Sequence, residues 1–414
     1  MVDYPNDWKL ESIGEIFNTI TDYVAAGSFK DLSDNVKYYN SPNYAQLIRT
    51  RDIKSKFKNR GFIFINKQAY DYLWRVHFND TKIIMPNIGN CGEVYFVEVD
   101  KLPHERCVLG PNAIMLFDTD NDMKFIYYAL QRNDFQKDLK DIISPSGQTK
   151  FNKTDLSKIK IRIPADIREQ KNIADTLLII DRHIENLEKL IKKKKMVRDG
   201  AVEDLMTGKT RLDGFECEWE EVNLGDSVSI VRGASPRPIE NHLTLDVDGI
   251  NWIKIGDAPK NGKYINKTEE KIKKDSAIFS VLVNPGDFIL SNSMSYGRPY
   301  IVKSRGCIHD GWLKLFGFDK KLNDDYLFYL LSLDSIQSQY RSLAAGSGVK
   351  NLNKEIVKKV KIKIPTDIKE QEAIASILIS MDEEIENLEK EKEKIEKIKA
   401  GAMDNLLTGK VRLI

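Results

Sequence analysis

Two stretches of the chain place apolar residues at alternating spacings of three and four over roughly 40 positions, the period of a single helix face. In the first these are Ile173, Leu177, Ile180, Ile184, Leu187 and Ile191, then Ala201 and Leu205. In the second they are Ile374, Leu378, Met381, Ile385, Leu388 and Ile395, then Ala402 and Leu406. A helix of that length runs ~60 Å at 1.5 Å per residue. With one apolar stripe and no bulk of its own it needs a partner helix, and the other stretch is the nearest candidate. The first stripe has weak points, because Lys194 and Arg198 fall where the pattern calls for apolar residues, beside the wholly basic run Lys192–Lys195. Upstream of each stretch, Lys160–Ile163 and Lys361–Ile364 alternate polar and apolar, as half-buried strands do, and Pro164 and Pro365 stop them. Asp166 with Glu169, and Asp367 with Glu370, have the spacing of a capping box at the helix start. Gly208 and Gly409 are natural terminators at the other end.

These two stretches are copies of one another. At an offset of 201 residues, Lys158–Leu212 aligns with Lys359–Leu413 without a gap, and 28 of the 55 positions are identical. The register extends upstream through Asn152-Lys153 and Asn353-Lys354, and Trp8 and Gly14 are spaced like Trp219 and Gly225. Between the copies the pattern changes. Gly61–Asn66, Val94–Val99 and Ala113–Phe117 in the first half, with Asn251–Gly256, Phe288–Asn292 and Tyr300–Lys303 in the second, read as strands between Gly, Asn and Pro turns. One helix closes each region, predicted over Lys124–Lys140 and Asp324–Ser342. The expected organisation is a tandem duplication: 1–157, a globular region; 158–212, a strand and long helix; 213–357, a second globular region; 358–414, the second strand and long helix. The class is α+β.

Composition removes several function classes. Of 414 residues, 41% are hydrophobic and 30% charged, ordinary for a globular chain. No apolar run approaches the ~20 residues of a membrane helix, and no secretory signal opens the chain, so no membrane partner is expected. Four scattered cysteines, with no CxxC pair, argue against zinc ribbons and point to a reducing, cytoplasmic setting. Thr207-Gly208-Lys209-Thr210 lacks the first glycine of a phosphate loop, since Glu203 stands there, and follows a helix instead of a strand. There is no glycine-rich cofactor loop, no Asn/Asp-Pro-Pro-aromatic base pocket and no carboxylate cluster, so neither a catalytic site nor a cofactor or metal is expected. His77, His104 and His309 read as ordinary core or surface residues.

Net charge is +2, so any nucleic-acid surface must be local. Arg49, Arg51, Lys54, Lys56 and Lys58 form one cluster whose spacing suits phosphate contact. In the second half, Arg232, Ser235 and Arg237 sit on a Gly/Pro-shaped loop, and Asn292, Ser293, Tyr296 and Arg298 on another. Arg and Asn on supported loops are the side chains that read guanine and adenine edges. A coiled-coil scaffold that binds protein and not DNA stays open as a rival, as does an ATP-using enzyme with a degenerate phosphate loop.

The repeated Ile-Pro-x-Asp-Ile-x-Glu-Gln start, the Asp181-x-x-Ile-Glu-Asn-Leu-Glu-Lys helix core and the Thr-Gly-Lys-x-Arg-Leu end resemble the specificity (S) subunit of type I restriction–modification systems. Gly147–Lys153, Gly348–Lys354 and Val283–Ser293 are similar to further segments of that family; Ile83–Gly92 departs from its usual Gly-Asp strand start. The resemblance implies a non-catalytic DNA-binding subunit. Two target recognition domains would be separated by two long antiparallel coiled-coil helices with pseudo-two-fold symmetry. The stripe residues from Ile173 to Leu187 and from Ile374 to Leu388 would form the coiled-coil core. The partners implied are double-stranded DNA with a bipartite, asymmetric target, two adenine-N6 methyltransferase subunits and the restriction subunits.

Overall fold

The computed structural model describes residues 4–143, 149–259, 262–292, 297–318, 321–346 and 352–414. It divides into two compact units, Met1–Leu187 with Glu391–Ile414, and Glu188–Lys390.

The two apolar stripes fold as helices Ile167–Met206 and Ile368–Leu406. Each unit holds the first half of one helix and the last half of the other. In the first unit Ile173, Ala174 and Leu177 share a core with Leu406 and Leu407, and Lys399 pairs with Asp181 at 2.6 Å. In the second, Ile374, Ala375 and Leu378 share a core with Leu205 and Met206, and Arg198 pairs with Asp382 at 2.8 Å. Start against end makes the pairing antiparallel in both. Ile173, Leu177, Leu187, Ile374, Leu378 and Ile385 are buried, while Ile180, Ile184, Met381 and Leu388 are half-buried. The two cations that interrupt the first stripe have partners on the facing helix: besides Arg198 with Asp382, Lys194 meets Glu384 at 2.6 Å.

At each helix start a short antiparallel ribbon forms, Trp8–Ser12 on Lys160–Pro164 and Trp219–Asn223 on Lys361–Pro365. The register is the same in both, with Trp8 opposite Pro164 and Trp219 opposite Pro365. Gly208 and Gly409 end the helices at φ +71°, and their Cα faces lie against Trp219 and Trp8 respectively. The capping box expected at the helix starts does not form. Asp166 caps alone by accepting from the Arg168 N–H at 2.8 Å, and Asp367 does the same from Lys369 at 2.9 Å. Glu169 and Glu370 instead turn inward, 1% and 0% exposed. Glu169 accepts from Arg412, with Nη2 2.8 Å from Oε2; Glu370 accepts from Arg211, 2.7 Å from Nη2 and 3.1 Å from Nε. The arginine of each helix's closing motif thus lands on the glutamate of the other helix's opening motif.

Each ribbon and helix start carries a head. In the first unit a four-stranded antiparallel sheet runs Thr19–Asp22, Ala113–Phe117, Lys82–Pro86, Tyr95–Val97, beside a three-stranded sheet of Ile63–Ile65, Ala45–Ile48 and Cys107–Leu109. The second unit has two five-stranded sheets, one ordered Ser229–Arg232, Trp312–Phe316, Phe288–Ser291, Pro299–Val302, Tyr264–Ile265. The first head contains a parallel strand pair, Ala45–Ile48 with Cys107–Leu109, and the second contains two, Ile250–Ile253 with Gly306–Ile308 and Tyr264–Ile265 with Pro299–Val302.

The closing helices are each broken in two, contrary to the single segments the sequence pattern predicts. They run Met123–Ala129 and Asn133–Ile142, then Asp324–Ser332 and Asp334–Gly346. Arg132 and Leu333 are extended at the breaks. The carbonyls freed there are recovered by a side chain six residues on: Gln136 Nε2 donates to Leu130 O at 2.7 Å, and Gln337 Nε2 to Leu331 O at 2.8 Å. Breaking the helix lets both pieces turn apolar faces, Phe125 and Ile126 with Phe135 and Leu139, into one core.

Leu177 is fully buried while Ile179, two residues on, is 66% exposed. Leu177→Ala is expected to cost about 2–5 kcal/mol in the urea unfolding transition of its unit, and Ile179→Ala to stay within about 0.5 kcal/mol. Equal effects would place the buried face wrongly.

Candidate nucleic-acid interface

In the first head the cluster from Arg49 to Arg60 is organised by one buried acid. Asp52 has a side chain with no exposed surface, and accepts from Arg49 Nε at 2.8 Å, Arg49 Nη2 at 2.9 Å and Asn59 Nδ2 at 2.6 Å. Burial by itself raises the Asp52 pKa, but these donors outweigh it and hold the carboxyl below its ordinary range. Arg49 and Arg51 both donate to Gly61 O, at 2.7 and 3.0 Å, which closes the loop. Lys56 and Phe57 follow at φ +50° and +58°, the left-handed region that non-glycine residues seldom occupy. Lys54 pairs with Glu93, and Lys56 reaches Glu185 on the long helix at 3.0 Å. Lys58 and Arg60 are exposed and form no ion pair among the described residues. The cluster therefore divides: Arg49 is committed to the scaffold, Arg51, Lys54 and Lys56 are exposed but tethered, and Lys58 stands clear.

In the second head the structure brings residues from two separate segments onto a single acid, Asp310. Ser235 Oγ donates to Asp310 Oδ1 at 2.8 Å. Arg232 Nε donates to the Asp310 carbonyl at 3.0 Å, and Asn292 Nδ2 to the same oxygen at 2.8 Å. Arg232 Nη2 and Arg237 Nη2 lie 3.9 and 3.5 Å from Asp310 Oδ2. Burial raises the Asp310 pKa, yet the Ser235 hydrogen bond and the charges of His309 and Arg232 prevail and lower it. His309 next to it is pushed down by burial, against the pull of Asp310. Its Nδ1 accepts from the Gly311 N–H at 2.6 Å, which leaves the ring proton on Nε2, 3.3 Å from the Ile255 nitrogen. Arg298 is half-buried, its guanidinium 5.3 Å from the Tyr300 ring centroid. Ser293 and Tyr296 lie outside the described residues.

Sequence reasoning missed Asp310, the centre of this cluster, and Asp52, the centre of the other. The Asp310-Gly311 dipeptide after a strand marks a turn, which is the one signal available. It also missed a clamp that both heads share. Asn87 N–H donates to Asn112 O and Asn87 O accepts from Phe151 N–H; Asn292 N–H donates to Gly311 O and Asn292 O accepts from Leu352 N–H. In both, the side-chain Oδ1 is buried without a partner among the described residues.

Comparison with known proteins decides what carries these clusters. The family described as the type I restriction modification DNA specificity domain matches residues 5–194 and again 216–397. The chain belongs to that family. A protein of Methanocaldococcus jannaschii assigned as the type I restriction enzyme MjaX specificity subunit is 27% identical over 99% of this chain and 95% of its own length. The crystal structure of a type I restriction–modification S subunit from M. genitalium has the same fold, with TM-score 0.60 at 16% identity, covering 98% of this chain and 97% of that one. A structure from work on complex assembly and conformational transition of the type I R-M system aligns at TM-score 0.55 and 13% identity, over 99% of this chain and 100% of that one. The chain is thus a DNA-binding specificity subunit with two target recognition domains. Among the described residues of this specificity subunit no helix is long and apolar enough to cross a membrane.

Because folding lowers the pKa of His309, the unfolded chain binds its proton first. Its contribution to stability is complete above about pH 6.5 and lost as pH falls below that value. His309→Gln is therefore expected to flatten the decline in unfolding midpoint of the second unit between pH 6.5 and 5. An unchanged pH profile would show that His309 does not titrate on unfolding.

Proposed function

We propose that this chain is the non-catalytic recognition subunit of a type I restriction–modification complex acting on cytoplasmic DNA. Each recognition domain, over 1–157 and 213–357, reads one half of a bipartite, asymmetric target. Two adenine-N6 methyltransferase subunits dock on the repeated segments 158–212 and 358–414, and restriction subunits join them. The observation that carries this reading is the contrast within the chain. The frame is duplicated down to single hydrogen bonds, Tyr128 to Asp181 and Tyr329 to Asp382, both at 2.7 Å. The clusters on the heads are not: Asp52 gathers cations at one and Asp310 at the other. Identical frames suit two copies of one partner, and different heads suit two different half-sites.

The DNA contacts proposed are Arg51, Lys54, Lys56 and Lys58 with Arg49 behind them, and Arg232, Ser235, Arg237, Asn292, Ser293, Tyr296 and Arg298. Replacing Arg232 and Arg237 with alanine is expected to relax one half-site and leave the other intact. A bidentate arginine is worth ~1–3 kcal/mol of base discrimination, whereas a phosphate contact lowers affinity for every sequence and reduces the salt slope by about one. Mapping modified adenines with the methyltransferase supplied separates the two; loss at both half-sites would refute the division of labour.

The crossed glutamate–arginine pairs generate another expectation. In a fragment Met1–Leu212, Arg211 of one copy can take the place of Arg412 on Glu169 of another, giving a two-fold dimer. Sedimentation equilibrium should show a dimer at micromolar concentration that Arg211→Ala weakens. A monomer would contradict it.

A further inference from the structure

We propose that Asp310 is a built-in competitor for DNA phosphate, which keeps Arg232 and Arg237 occupied until the second head meets its own half-site. This rests on the DNA-recognition reading above and assigns within it a residue that sets specificity. The carboxylate is fixed on one side and open on the other. Its main chain is locked, because a Cβ on Gly233 would come within 2.1 Å of His309 O, and one on Gly311 within 2.0 Å of the His309 ring. Ser235 fixes Oδ1, and Asn292, itself buried, holds the carbonyl. Oδ2 faces both guanidinium groups at 3.5 and 3.9 Å, and Arg232 Nε also donates to the Asp310 carbonyl at 3.0 Å. Those separations exceed the 2.7–2.9 Å of a strong charge-assisted hydrogen bond, and the arginine side chains are 79% and 56% exposed. Exposed pairs of this kind are weak. A rigid anion that holds two exposed arginines loosely is matched to exchange, because a phosphate oxygen offers a comparable charge and base contacts can tip the balance.

Asp52 in the first head differs on each of these counts. It is fully buried, and Arg49 closes on it with two short bonds, so it holds its arginine permanently. The gate belongs to the second head alone.

The competition has a sign. On DNA of arbitrary sequence the arginines gain only phosphate contact, and Asp310 retains them. On the matching half-site base contacts add to the phosphate term, and the arginines leave. Removing the charge frees them for any duplex. The test measures binding of the full-length chain to a 30-base-pair duplex of random sequence by fluorescence anisotropy at several salt concentrations. Asp310→Asn is expected to bind more tightly than wild type, with a salt slope steeper by about one to two units, near 0.9 for each phosphate neutralised. Adding Arg232→Gln and Arg237→Gln should abolish the gain. A folded Asp310→Asn protein with unchanged or weaker binding overturns the gate and leaves the DNA-recognition reading standing. A wild-type protein that binds no duplex at low salt overturns that reading and the gate with it. Should Asp310→Asn fail to fold, Asp310→Ser, which also removes the charge, is measured in its place: the same tighter binding and steeper salt slope are expected, and unchanged or weaker binding by the folded protein overturns the gate.

Discussion

Two buried carboxylates, Glu169 and Glu370, fix how this chain closes on itself. A buried charge without a partner is costly, and the partner each requires is the arginine at the far end of the other long helix. Within each unit that requirement sets the start of one long helix beside the end of the other. Asp7 extends the first pair and Trp219 Nε1 the second, so the ribbon strands that begin each half are drawn into the same junction. Holding Arg412 between two acids raises its pKa, and its hydrogen bond lowers that of Asp7.

The helix pair shows how a repeat accommodates divergence. Identity across the copies is lowest through residues 190–199 and 391–400, where the first helix is basic and the second mixes lysine with glutamate. Lys194 and Arg198 interrupt the apolar stripe, but in the second unit they meet Glu384 and Asp382, and Lys195 meets Glu389. Charge complementarity takes over where the stripe weakens, as flanking charges do in coiled coils. It is also directional, since the matching positions of the second helix, Ile395, Glu396 and Lys399, carry a different set.

Both heads use one acid to position arginines, but the balance of burial differs. Asp52 is enclosed and its arginine becomes scaffold. Asp310 is 41% exposed, and its arginines stay available. The shared asparagine clamp, Asn87 and Asn292, shows that the heads have a common backbone logic even though their sequences have little in common.

The sequence alone determined the frame. A repeat at constant offset, helical periodicity and terminal glycines are local or strictly periodic signals, and together they specified two long helices, their ends, the strand before each and the family. It could not determine the breaks at Arg132 and Leu333, because a helix propensity that runs on is overridden when two apolar faces must reach one core. Nor could it give the true role of Glu169 and Glu370, since the capping spacing is satisfied locally while the arginine that claims each glutamate is 243 or 159 residues away in the chain. The same holds for Asp310 and Asp52. Arginine clusters are visible as composition, but which of their members are free depends on which acid the fold brings beneath them. That acid is chosen by strand pairing and burial, and neither leaves a mark in the spacing of the arginines themselves.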